Sequence, residues 1–281
     1  MGIRTRAAEA ACREAVWTRR PDVLQRLARS ARAEVRVVAL TGLVRVGQDA
    51  YVAGYLDDDA PLVRAVARDA TRRLGVDVRE HYRTAVNTDV PALGAIAGLA
   101  ETGSAADAPL LRRMLDHPSS RVRVQAVRGL RLLDEIRAAD VVLVRDPSPA
   151  VVREATLALR PLVSALPSGL PWELLANDRM ELRRAGYRLL RGCGIDIELC
   201  AALILAVDAE PRLAERGRAD ATRITRDVTR TAWHYASGPE LPVTAAKHAE
   251  LVALASRAAE AIGEETSRQL IGWLANSRPG E

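Results

Sequence analysis

The chain has 281 residues, 48% of them hydrophobic and 27% charged, which allows a large core in one or two domains and excludes wholesale disorder. Its longest apolar run, residues 200–207, is eight residues long, and a membrane-spanning helix needs about twenty, so no membrane contact is expected. The net charge of +5 is mild beside a dedicated DNA-binding surface, and with Lys247 as the only lysine and no phenylalanine, abundant arginine partly reflects GC-rich coding.

The N-terminal twenty residues alternate Arg with Ala and Glu and hold no apolar signal-peptide core. Gly2 is followed by Ile3, Arg4, Thr5 and Arg6, without the hydroxyl residue of a myristoylation signal. A cytoplasmic protein is the expectation. Two helices, 5–19 and 22–32, are split by Pro21 and form an N-terminal cap over 1–30.

Repetition begins after the cap. Residues 33–43 (AEVRVVALTGL) and 57–74 (DDDAPLVRAVARDATRRL) share a Val-Arg pair, Val35-Arg36 and Val63-Arg64. Residues 116–133 (DHPSSRVRVQAVRGLRLL), 146–162 (DPSPAVVREATLALRPL) and 176–191 (ANDRMELRRAGYRLLR) follow. Val122, Val152 and Leu182 are spaced by thirty, with Arg123, Arg153 and Arg183 next to them in the same register. Residues 208–224 (DAEPRLAERGRADATRI) keep Asp208, Pro211 and Leu213, but Ala214 replaces the arginine. In each unit Asp, Pro and Ser mark a turn that can cap the next helix. That helix places apolar residues at helical spacing, as in Val122, Ala126 and Leu130. A second short helix precedes the turn, with 108–115 and 139–144 as examples. Two helices per thirty residues cannot bury their apolar faces alone, and stacking them makes one continuous core, a solenoid. After Arg230 the repeat fades. Residues 236–242 read as a loop, and 243–262 and 264–276 as two helices of a C-terminal cap over 231–281.

The turn-plus-helix pattern, Asp57, Asp116 or Asp146 six residues before a Val-Arg pair, resembles the HEAT-repeat family, particularly the short repeats of the phycobilisome-lyase type. The resemblance covers about residues 31–225. It implies an all-α fold, a right-handed α-solenoid of helical-hairpin repeats filling 1–281 as a single domain, with the repeats at 31–230. It is nearly silent on function, because such proteins are mostly scaffolds with a few enzymes among them.

Two sets of arginines stand out. Arg36, Arg64, Arg123, Arg153 and Arg183 could form a phosphate ladder. In HEAT-like repeats, however, this arginine commonly bridges to the turn aspartate of its own or a neighbouring repeat, which implies a structural ladder with Asp57, Asp116 and Asp146. In the second set, Arg184, Arg188 and Arg191 share the face opposite Leu182 at helical spacing. Arg128 and Arg131 repeat two of these positions sixty residues earlier, while 146–162 has Glu154, Ala158 and Pro161 there. The family resemblance places this helix on the concave wall. The five arginines are therefore a candidate surface for an anionic partner, or an ordinary solvated face.

Other features point weakly. Cys12, Cys193 and Cys200 have neither disulfide nor zinc spacing and read as buried thiols. His81, His117, His234 and His248 are scattered, and no metal or cofactor is expected. Trp172 opens a helix and either packs or lies exposed. Trp233, His234 and Tyr235 either close over a ligand or seal the C-terminal cap. No catalytic motif occurs, so no catalytic residue is assigned. The leading expectation is a non-enzymatic module binding a protein or peptide. A nucleic-acid binder is the alternative, including a HEAT-like DNA glycosylase, for which Trp172 and Asp178 are the nearest pairing without matching its motif. A lyase or an attachment factor for a prosthetic group is the third.

Overall fold

Six turns share one construction in the computed structural model, which describes residues 3–232, 240–241 and 244–279. At each, a side chain accepts a hydrogen bond from the backbone N–H two residues on, and a helix begins one residue later. The acceptors are Ser30, Asp58, His117, Asp146, Asn177 and Asp208. Such local side-chain bonds fold the backbone into a tight turn and occupy a donor the helix start leaves unpaired. Proline at the first helical position, as in Pro61, Pro149 and Pro211, lacks the N–H that would be orphaned there. Five residues after the turn acceptor comes a buried branched residue: Val35, Val63, Val122, Val151, Leu182 or Leu213. Four further on comes a buried small one: Ala39, Ala67, Ala126, Ala155, Gly186 or Gly217. This one-turn spacing puts both on the face that packs.

The chain divides into two compact units, residues 1–136 and 137–281. Nothing in the repeat spacing marks that boundary. The first unit contains α1 (Ile3–Trp17), α2 (Pro21–Ala28), α3 (Ala33–Arg45), α4 (Asp49–Ala53), α5 (Pro61–Arg73), α6 (Val78–Val86), α7 (Leu93–Thr102), α8 (Ala108–Arg112) and α9 (Ser120–Leu132). The odd-numbered helices pack in succession, α1 on α3, α3 on α5, α5 on α7 and α7 on α9, and each even-numbered helix packs on its successor. Their buried apolar residues form two clusters, one around Leu24, Leu40 and Leu43 and the other around Leu99, Leu111 and Leu130, all six fully buried. Each such leucine contributes about 1.5–3 kcal/mol of apolar burial.

The hairpin of α6 and α7 has no counterpart in the sequence repeats. It packs through size rather than through the turn pattern. Tyr82 donates its hydroxyl to the carbonyl of Leu56 at 2.9 Å, and a Cβ at Gly98 would lie 2.2 Å from the Tyr82 ring. Only glycine lets α7 approach α6 this closely.

The second unit opens with a 3-10 helix at Ala138–Arg145 and continues with α10 (Pro149–Leu159), a 3-10 turn at Arg160–Ala165, α11 (Leu170–Leu175), α12 (Met180–Leu190), α13 (Ile195–Ala206), α14 (Pro211–Ala232), α15 (Ala245–Ile262) and α16 (Glu264–Asn276). Helices α11 and α12, α13 and α14, and α15 and α16 pack as hairpins, and α10 packs on α12. The short helices expected at 108–115 and 139–144 are wholly or partly of the tighter 3-10 form, the first being α8 followed by a 3-10 turn at Arg113–Asp116. Residues 240–241 pair in parallel with 278–279. Trp233, His234 and Tyr235 lie outside the described residues. No helix among the described residues is long and apolar enough to cross a membrane.

Candidate anion-binding groove

At four of the six turns the residue six positions after the acceptor is an arginine, and it is held by the turn itself. Arg36 donates through Nη1 to the carbonyls of Ser30 and Ala31 at 2.9 and 3.1 Å. Arg64 does the same to Asp58 and Asp59 at 2.7 and 2.9 Å. Arg123 reaches His117 and Pro118 at 2.8 and 3.0 Å, and Arg183 reaches Asn177 and Asp178 at 3.1 and 2.7 Å. The other edge of the fork reaches forward along the chain. Arg36 makes a bidentate pair with Asp58 at 2.9 and 2.6 Å, and Arg183 makes one with Asp208 at 2.7 and 3.0 Å. Arg64, only 2% exposed, pairs with Glu101 on α7, which also receives Arg68. Burial pushes the Glu101 carboxyl up, but the hydrogen bonds from Arg64 and Arg68 outweigh it and hold the group below its ordinary range.

Three ladder positions expected from the sequence are corrected here. Asp57 is not the turn residue. It faces His81 at 3.2 Å, and Asp58 holds the turn. Asp116 is exposed at the end of a 3-10 turn, and His117 takes its place. Nδ1 of His117 accepts from Ser119 at 3.0 Å, which leaves Nε2 to donate to the Asp89 carbonyl at 3.1 Å. Asp146 does hold its turn, through the Ser148 N–H at 2.7 Å, but the position six residues on is Val152. Arg153 is one residue out of register.

That one residue builds the site. A step along a helix turns the side chain by about 100°, so Arg153 swings away from the turn. In its absence Arg179 donates to the same two carbonyls, those of Asp146 and Pro147, at 3.2 and 3.3 Å. Arg153 instead lines an open groove of about 300 Å3 between α10 and α12, with Arg184 and Arg188 on the other wall. Small side chains, Ala150 and Ala185, leave the space open, and Val152 and Thr156 lie between the charged walls. The Thr156 hydroxyl is turned inward to the Val152 carbonyl at 2.6 Å.

The groove is positively charged. Arg153 lies 3.1 Å from Glu154, which is buried. Glu181, also on the lining, lies 3.9 Å from Arg179. Among the described residues, neither Arg184 nor Arg188 is in an ion pair. Burial lowers the Arg188 pKa, and the neighbouring Arg184 and Arg153 charges lower it further against the opposing effect of Glu154.

Of the other arginines expected on this face, Arg191 leaves it. Helix α12 ends at Leu190, and Arg191 has extended backbone, φ −67 and ψ 122, so helical spacing no longer applies. Its guanidinium turns to Glu198 at 3.7 Å and Asp220 at 3.9 Å. Arg128 and Arg131 are exposed on α9 in the first unit. Trp172 is half-buried on α11 against the core, with the Lys247 ammonium 5.2 Å from its ring centre. Asp178 is exposed in the turn before α12. Among the described residues no cluster of His, Cys, Asp or Glu could hold a metal ion.

Sequence reasoning did not find Arg179, Glu101, Asp58 or His117. A detectable signal existed for two of them, because counting six residues back from Arg64 and Arg123 lands on Asp58 and His117. No protein-family profile and no curated protein matches this sequence. Among solved structures, one engineered protein is 14% identical over 97% of this chain and 93% of its own, with a TM-score of 0.38. A second engineered protein is 12% identical over 98% and 99%, with a TM-score of 0.25. Neither value reaches that of a shared fold.

Proposed function

We propose that this chain is an interaction module without catalysis of its own, built from HEAT-like helical hairpins in right-handed solenoid order, and that the groove between α10 and α12 receives an acidic segment of a partner protein. One observation carries this reading. Ladder arginines such as Arg36, Arg64 and Arg183 are engaged with turn carbonyls and carboxylates, whereas Arg184 and Arg188 stand in an open groove without an ion-pair partner among the described residues. Charges of one sign in a concave, partly desolvated wall attract a partner of the other sign and set its orientation. The recurring turn and its arginine support the HEAT-like reading.

The test is fluorescence anisotropy of a labelled Glu-rich peptide against the full chain and against the double variant Arg184→Glu, Arg188→Glu. Binding that weakens with salt and disappears in the variant is expected, with Arg257→Glu, on the exposed face of α15, behaving as the parent. Equal binding by parent and double variant overturns the assignment of the surface.

A further inference from the structure

The groove carries more positive charge than a single carboxylate can match. Arg153 has Glu154 beside it and Glu181 on the lining lies 3.9 Å from Arg179, which leaves Arg184 and Arg188 as two guanidiniums outside any ion pair among the described residues. A glutamate side chain would bring one negative charge and two oxygens. A phosphoryl group on a side chain brings about −1.5 to −2 at neutral pH and three strong acceptor oxygens. Guanidinium forks also match phosphate geometry in bidentate fashion.

We infer that the α10–α12 groove is a phosphopeptide site, in which Arg184 and Arg188 hold the phosphoryl group of a phosphoserine or phosphothreonine and Arg153 closes the third side. This inference rests on the reading of the groove as a partner-binding surface and specifies its ligand. The half-buried setting of Arg188 supports it, because burial and the adjacent Arg184 and Arg153 charges already disfavour its cationic form, and a dianion placed among the three relieves that repulsion. Pro149 and Ala150, both exposed, offer apolar contacts for the flanking peptide. The phosphate backbone of a nucleic acid is the less suitable source. It presents charges at regular intervals and calls for a continuous basic track. In this unit Arg183 pairs with Asp208, and Arg191, Arg216 and Arg223 cluster around Asp220, so these four do not extend such a track.

The experiment compares three labelled peptide libraries, identical except for a fixed central phosphothreonine, glutamate or threonine, by anisotropy with the full chain. Inorganic phosphate and a single-stranded oligonucleotide are the competitors. The phosphothreonine library is expected to bind at least about tenfold more tightly than the glutamate library, to be displaced by millimolar phosphate, and to lose that advantage in Arg184→Gln, Arg188→Gln. Both residues are partly exposed, and unchanged circular dichroism and melting temperature establish that the variant folds. Equal, arginine-dependent binding of the phosphothreonine and glutamate libraries overturns the phosphoryl assignment and leaves the acidic-partner reading standing. Failure of both libraries to bind overturns both. An oligonucleotide that binds more tightly than the phosphothreonine library overturns the inference in favour of nucleic acid.

Discussion

Arg179 donates to the carbonyl of Asp146 from thirty-three residues away. In the turns before α3, α5, α9 and α12, the same carbonyl is held by an arginine six residues along its own helix. The turn before α10 has Val152 at that position, so its restraint comes from the start of α12. The helices that wall the groove are thus tied together at their N-terminal ends, while Arg153 is released to face the space between them.

This arrangement orders the stabilities of three truncations. Arg64→Ala removes a 2%-exposed cation from two carbonyls and Glu101, and breaking a buried pair from one side costs about 3–5 kcal/mol. Arg179→Ala removes a pair of long hydrogen bonds and costs about 1 kcal/mol. Arg153→Ala removes a cation whose side chain is 53% exposed but takes a hydrogen-bonded partner from the buried Glu154, and costs about 1–3 kcal/mol, between the other two. Urea unfolding of the three variants checks the order, and an Arg153→Ala loss matching that of Arg64→Ala would falsify the register described above.

Acid weakens the ladder. In Glu101 and Asp107 burial raises the pKa, but hydrogen bonds from Arg64 and Arg68, and from Arg83 and the Ser104 N–H, lower it by more. A carboxyl with a folded-state pKa below its unfolded one contributes stability that is complete above the unfolded value, about 4, and is lost as the pH falls through the folded value. Melting temperature is therefore expected to hold from pH 7 to about 5 and to fall steeply below 4. Glu101→Gln should flatten that fall, and an unchanged slope would remove Glu101 from the account.

Two glycine substitutions separate close approach from conformational freedom. A Cβ at Gly186 would lie 2.4 Å from the Pro171 carbonyl oxygen, backbone that cannot turn aside, so Gly186→Ala should cost about 1–3 kcal/mol. At Gly272, on the exposed side of α16, a Cβ meets nothing within 4 Å, and Gly272→Ala should stabilise by about 0.4–1 kcal/mol. Thermal denaturation of the pair decides, and the same sign for both would contradict this packing.

Thiol labelling follows exposure. Burial raises the pKa of Cys200 to about 11, and Cys12 is also buried with its pKa raised by burial and by Glu9. Cys193 is only partly covered. A disulfide reagent at pH 8 should modify Cys193 first, with Cys12 and Cys200 reacting only as the protein unfolds. Mass spectrometry of the partly labelled chain identifies the site, and early modification of Cys200 would refute its burial.

Helical character was legible in the sequence because it depends on near neighbours. The turn residues, the prolines at 61, 149 and 211, and the alternation of large and small apolar residues act over a few positions, and α16 was read to its bounds, Glu264–Asn276. The α6–α7 hairpin was not read, because its packing rests on Tyr82 meeting Gly98 rather than on the repeated turn. Part of the site was equally legible, since Arg184 and Arg188 lie one helical turn apart and share a face. That Arg191 turns to Glu198 and Asp220, and that Arg153 faces the groove while Arg179 replaces it, were decided by tertiary structure. A shift of one residue leaves the helix-forming pattern almost unchanged but rotates a side chain by about 100°. Partners such as Arg64 with Glu101, or Arg179 with Asp146, lie over thirty residues apart, and they meet only when the helices that carry them have packed.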